Sequence, residues 1–142
     1  MTQIDFYIGA ADRLLIACRL CAKAVQQGLR TVVHVPDEHL AGQFDKLLWT
    51  FTPTGFVPHC RADSKLAKVT PVIMSSRSVL MEDGHFDVLL NLDTNIPAGF
   101  EQFPRVVEIV DEREDSKLQA RKRYRCYQQQ GHDIRHHRLD GR

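Results

Sequence analysis

Five short apolar runs set the strongest limit on how this chain can fold. They are IDFYI (residues 4–8), TVVHV (31–35), PVIM (71–74), FDVLLNL (86–92) and RVVEIV (105–110). Each is apolar along most of its length rather than at alternate positions, as expected of strands covered on both faces of a parallel sheet. Between the first two runs, residues 11–27 place Leu14, Leu15, Cys18, Leu20, Cys21 and Val25 at helical spacing and stop at Gly28. Pro36 closes the second run, and residues 37–49 form a second helical segment with Asp37 placed to cap it. Residues 50–58, rich in Pro, Thr and Gly, read as loop. A third helix is expected over 116–130, stopped by Gly131, followed by an edge strand at 133–139. The pattern predicts one α/β domain over residues 1–142, with a mainly parallel sheet flanked by helices.

A chain of 142 residues can bury a core without metal or disulfide staples. Its net charge of +1 argues against a generic nucleic-acid or membrane binder, which works through an overall basic surface. The charge is uneven, however. From residue 113 onward there are nine Lys/Arg and four Asp/Glu, a net +5; the preceding residues hold ten and fourteen, a net −4. A local anion-binding face is therefore expected near the C-terminus. The first residues lack the basic and apolar regions of a signal peptide, and no segment is apolar enough to span a membrane. Four cysteines at this length do not make a disulfide framework, so a reducing, cytoplasmic compartment is expected.

Such a sheet invites a nucleotide, but the first strand turns through IGAADR, with one glycine where a dinucleotide fingerprint needs three. No phosphate-binding GxxxxGK[ST] loop is present, and neither a GxSxG nor an HExxH motif supports catalysis. Cys18 and Cys21 form a CxxC, yet inside a helix rather than at its N-terminus, where a dipole would activate the thiol. They read as core residues. His132, His136 and His137 offer metal ligands or phosphate contacts, but the adjacent His136 and His137 point to opposite faces of a strand, which is poor geometry for a shared metal. They read as a solvated edge. Neither a cofactor nor a metal is expected.

The third helix carries more information. Lys117, Arg121 and Arg125 fall at i, i+4 and i+8, so their cationic ends share a face beside Tyr124. Ala120, Tyr124 and Tyr127 form a neighbouring inward stripe, while Lys122 and Arg123 are expected to point elsewhere. Like charges in a row do not stabilise a helix. The row is either a solvated helix face or a site for a carboxylate-bearing peptide or a run of phosphates. The other unusual patch gathers the single tryptophan, Trp49, with Phe56 and Pro58 in what reads as surface loop. It is either a small satellite core or an exposed anchor for a partner protein.

The W-x6-FVPH segment from Trp49 to His59 and the run VVEIVDEREDSKLQARKRYRCYQQQG at 106–131 resemble the chi subunit of bacterial DNA polymerase III holoenzyme. The opening IDFYIGA and the first helix fit the same pattern, so the resemblance covers essentially the whole chain. It implies a topology similar to nucleotide-binding folds without nucleotide chemistry. It also implies a non-catalytic accessory subunit linking the clamp loader, through the psi subunit, to the acidic C-terminal tail of single-stranded DNA-binding protein. By that resemblance the tail site falls on Val110, Lys117, Arg121, Tyr124 and Arg125, where the family often has lysine at the last position. The psi contact falls on Trp49, Phe56 and Pro58. DNA would then be reached only indirectly; the alternative is direct single-stranded nucleic-acid binding by the basic helix. No contact carries over to residues 60–70 or beyond His132.

Overall fold

The computed structural model describes residues 2–52, 56–76 and 85–139. Seven strands, β1 (Gln3–Ala10), β2 (Thr31–His34), β3 (His59–Arg61), β4 (Val72–Ser75), β5 (Val88–Asn91), β6 (Arg105–Asp111) and β7 (Asp133–Arg138), form one sheet. Their order is β3-β4-β2-β5-β6-β1-β7, and every pairing is parallel. Helices α1 (Arg13–Gln26) and α2 (Glu38–Thr50) cover one face, and α3 (Glu114–Gln129) covers part of the other. The α/β expectation therefore holds.

The central strands β2, β4 and β5 are buried at every position, which is why their runs show no polar alternation. Residues such as Val33, Met74, Leu90 and Val107 pack under α1 and α2. Their neighbours Val32, Ile73, Leu89 and Val106 pack on the α3 side. Cys18 and Cys21 lie in the first of these cores as free thiols. Burial pushes Cys18 up to about 12 and raises Cys21 as well, so neither is a ready nucleophile. Among the described residues, no group of three or more potential ligands could hold a metal ion.

The helix ends obey local chemistry. Asp12 and Asp37 each accept hydrogen bonds from two backbone N–H groups of the first turn, so α1 begins at Arg13 and α2 at Glu38. Gly28 and Gly131 follow α1 and α3 with φ of 75° and 80°, the left-handed conformation that ends helices. Gly9 has φ of 88° where the β1–β6 register shifts between Ile8 and Ala10. A Cβ there would sit an ordinary 3.6 Å from Glu112 Oε1, so backbone conformation rather than space calls for glycine.

Two features depart from the sequence reading. Residues 59–61 form strand β3, which pairs with β4 alone and is too short and polar to stand out as an apolar run. Arg123, expected to point away, is buried on α3 together with Ala120 and Tyr127. These residues at i, i+3 and i+7 form the inward stripe, and Tyr124 sits beside it, half-buried.

Candidate binding groove and aromatic patch

The inward stripe of α3 is held by a buried polar cluster. Arg123 Nε donates to Glu108 Oε1 at 3.0 Å, and Tyr127 OH and Asn91 Nδ2 donate to Glu108 Oε2 at 2.7 and 3.0 Å. Arg123 Nη1 also donates to the Thr94 carbonyl at 2.9 Å. Burial pushes the Glu108 carboxyl up, opposed by the guanidinium and the two hydrogen bonds. Burial and the adjacent Glu108 raise the Tyr127 hydroxyl, so it remains a proton donor. This cluster fixes the rotation of α3 over β5 and β6, and with it the direction in which the outer face looks.

What that face borders is a groove of about 400 Å³, lined by Phe6, Ile8, Val110, Lys117, Ala120, Arg121, Tyr124, His136 and Arg138. It lies beside the carboxyl ends of β1, β6 and β7, where open α/β sheets commonly bind ligands. The floor is apolar: Phe6, Ile8 and Val110 from adjacent strands, with Ala120 from the helix. Phe6, Tyr124 and His136 pack as a cluster of rings. Phe6 stands edge-on to Tyr124 at 5.8 Å and stacks on His136 at 6.2 Å, and Tyr124 lies 5.4 Å from His136. Cations stand around this floor. Among the described carboxylates Lys117 approaches the exposed Glu112 and Glu114, at 4.0 and 3.8 Å. Arg121 and Arg138 have no carboxylate partner among the described residues.

Four of the five residues expected for the acidic-tail site, Val110, Lys117, Arg121 and Tyr124, thus come together in one groove. Arg125 is exposed on α3 and does not line it. At 3.6 residues per turn, each i+4 step advances about 40° around the helix, so Arg125 has turned past the groove toward solvent. Sequence reasoning missed the contribution of the last strand. His136 and Arg138 line the groove because their strand joins β1 in register, Phe6 opposite His136 and Ile8 opposite Arg138. The period-2 rule did place His136 and His137 on opposite faces. His137 turns away from the groove, bonds Asp5 Oδ1 at 3.0 Å and stacks on Tyr7 at 4.5 Å. The His137 side chain is still 40% exposed on this edge strand and His136 is exposed, so the expected solvated edge holds with this contact added. Burial pushes the Asp5 carboxyl up, but hydrogen bonds from His137, Arg105 and Gln3 outweigh this and hold it below its ordinary value.

The aromatic patch lies at the other end of the sheet. Trp49 and Phe56 are 54% and 62% exposed, with ring centroids 5.3 Å apart. The Trp49 ring also rests 4.9 Å from His59, whose Nε2 lies 3.0 Å from Asp45 Oδ1 and whose Nδ1 lies 2.7 Å from the Val57 carbonyl oxygen. Pro58 is half-buried between Val57 and this histidine. The two large rings therefore support each other at the surface rather than forming a satellite core. Strand β3, which carries His59, and strand β7 are opposite edges of the sheet. Six interstrand spacings of about 4.8 Å put roughly 29 Å between those edges.

Comparison with known proteins agrees with the resemblance read from the sequence. Residues 1–135 match the family described as DNA polymerase III chi subunit, HolC. The DNA polymerase III subunit chi of Pseudomonas aeruginosa is 36% identical over 143 aligned residues, covering 98% of each chain. Its counterpart in Haemophilus influenzae is 30% identical, over 84% of this chain and 82% of its own. That of Escherichia coli is 28% identical, over 89% and 84%. With its seven-stranded parallel sheet and a family match that reaches from the first strand into the last, this chain belongs to the chi-subunit family of DNA polymerase III, as an accessory subunit.

Proposed function

We propose that the chain is a non-catalytic adaptor of the replicative holoenzyme, holding two partners at opposite edges of its sheet. The groove beside α3 takes the acidic C-terminal tail of single-stranded DNA-binding protein. Val110 and the Tyr124 ring shelter the tail's apolar end, while Lys117 and Arg121 pair with its carboxylates. Arg125 attracts acidic residues further along the tail. The patch of Trp49, Phe56 and Pro58 receives the psi subunit of the clamp loader. The observation that carries this reading is an apolar floor ringed by Lys117, Arg121 and Arg138, of which the two arginines have no carboxylate partner among the described residues. A single strand can stack bases on the rings, but the aliphatic part of the floor, Ile8, Val110 and Ala120, suits the apolar terminus of an acidic peptide.

Fluorescence anisotropy with an acidic peptide ending in Pro-Phe, set against poly-dT, tests this proposal. Tight peptide binding that disappears when the terminal carboxylate is amidated is the expected result. A clear preference for poly-dT, falling steeply with salt, would overturn it in favour of direct single-strand binding. For the second surface, Trp49→Ala should leave peptide binding and thermal stability unchanged while weakening psi capture by about 2 kcal/mol or more. Unfolding of that variant would instead make the patch structural.

A further inference from the structure

We infer that β7 supplies a second cationic wall to the groove, so that a bound acidic peptide is clamped from two sides, by Arg121 on α3 and Arg138 on β7. The inference deepens the peptide-binding reading and rests on it. Neither the family resemblance nor the cationic row on the helix points to this strand. Arg138 lines the groove with Arg121, and neither guanidinium has a carboxylate partner among the described residues. Most other arginines near the sheet ends are compensated: Arg105 by Asp5 at 2.6 Å, Arg113 by Asp111 at 3.3 Å, Arg135 by Asp133 at 3.5 Å. Two uncompensated guanidiniums on the lining of one apolar groove leave their charge available to an anion.

The wall is also well fixed. β7 pairs with β1 over six residues, and the Leu139 N–H donates to the Ile8 carbonyl at 2.9 Å just beyond the strand. Ile134 packs into the core under α3, and Leu139 into the core of the opposite face. On that opposite face, His137 is tied to the buried Asp5. The backbone of such a strand needs no ordering when a ligand arrives, so only the exposed Arg138 side chain has to be immobilised. His136 contributes differently. Its ring continues the Phe6–Tyr124 surface, so an apolar side chain entering the groove meets rings from strand and helix alike.

Charges on an edge strand can also serve only to deter sheet-to-sheet association. The two roles separate by the sign of the charge. Arg138→Gln removes the cation, and Arg138→Glu keeps a charge on the edge while reversing it. Both would be made in the full chain, with thermal melting and sedimentation to confirm folding and oligomeric state. The probe is the acidic peptide with a free terminal carboxylate. Arg138→Gln should weaken binding roughly ten-fold and Arg138→Glu by more, the loss of one charge-assisted contact followed by its replacement with a repulsion. Peptide affinity unchanged in both variants would overturn the second wall. The peptide-binding reading would still stand if Arg121→Ala weakened binding in the same assay. No binding of the peptide by the unaltered chain would overturn both.

Discussion

Arg121 and Arg123 sit two positions apart on one helix and meet opposite surroundings. Arg123 lies beneath α3, its guanidinium spent on Glu108 and the Thr94 carbonyl. Arg121 stands at the rim of an open groove with no carboxylate beside it among the described residues. The buried arginine makes the helix sit one way; the exposed one is useful because it does. A cation's role follows from what compensates it, and residue type and neighbourhood in the sequence do not decide that.

This contrast can be broken most severely at the buried member. Arg123→Ala strands the Glu108 carboxylate in a dry interior, and urea denaturation should show a loss of about 3–5 kcal/mol. A loss below about 1 kcal/mol would mean that the cluster does not anchor α3. At the rim, Arg121→Ala should cost about 1–3 kcal/mol of peptide binding while the denaturation midpoint stays put. A stability loss comparable to that of Arg123→Ala would erase the distinction between the two sites. Arg125→Ala sharpens the limit of the groove. Pointing past it, this residue should contribute about 0.5 kcal/mol to peptide binding, declining with added salt in the same titration. Lys122→Ala is the smallest case, with both affinity and stability expected within about 0.5 kcal/mol of the unaltered chain.

The sheet was legible in the sequence because strands covered on both faces carry nearly continuous apolar runs, and five of the seven show them. β7 was legible as an edge by position, but not as a wall of the groove. Which side of an edge strand faces a cavity depends on its register with β1, and that register is long-range. β3 was missed because three half-buried residues, His59, Cys60 and Arg61, give no period to read. Arg123 was misplaced for a more instructive reason. In a basic helix every arginine resembles a surface residue, and Tyr124 fits an apolar stripe better than Arg123 does. The available signal lay elsewhere: Glu108 interrupts RVVEIV, a run otherwise built for the core. A carboxylate in a doubly covered strand requires a partner on an element that covers it.

The register of β1 has a consequence for synthesis. Gln3 is bonded in the sheet between Arg105 and Asp133, so the first strand made is flanked by two of the last. At about 5–20 residues per second, IDFYI waits on the order of ten seconds for its neighbours. Until then its edges are open and apolar, the condition in which a nascent strand needs shielding. The groove inherits the same schedule, since its lining runs from Phe6 to Arg138. A released chain ending near residue 130 would leave β1 with one neighbour, the ring cluster without His136, and the groove open along one side.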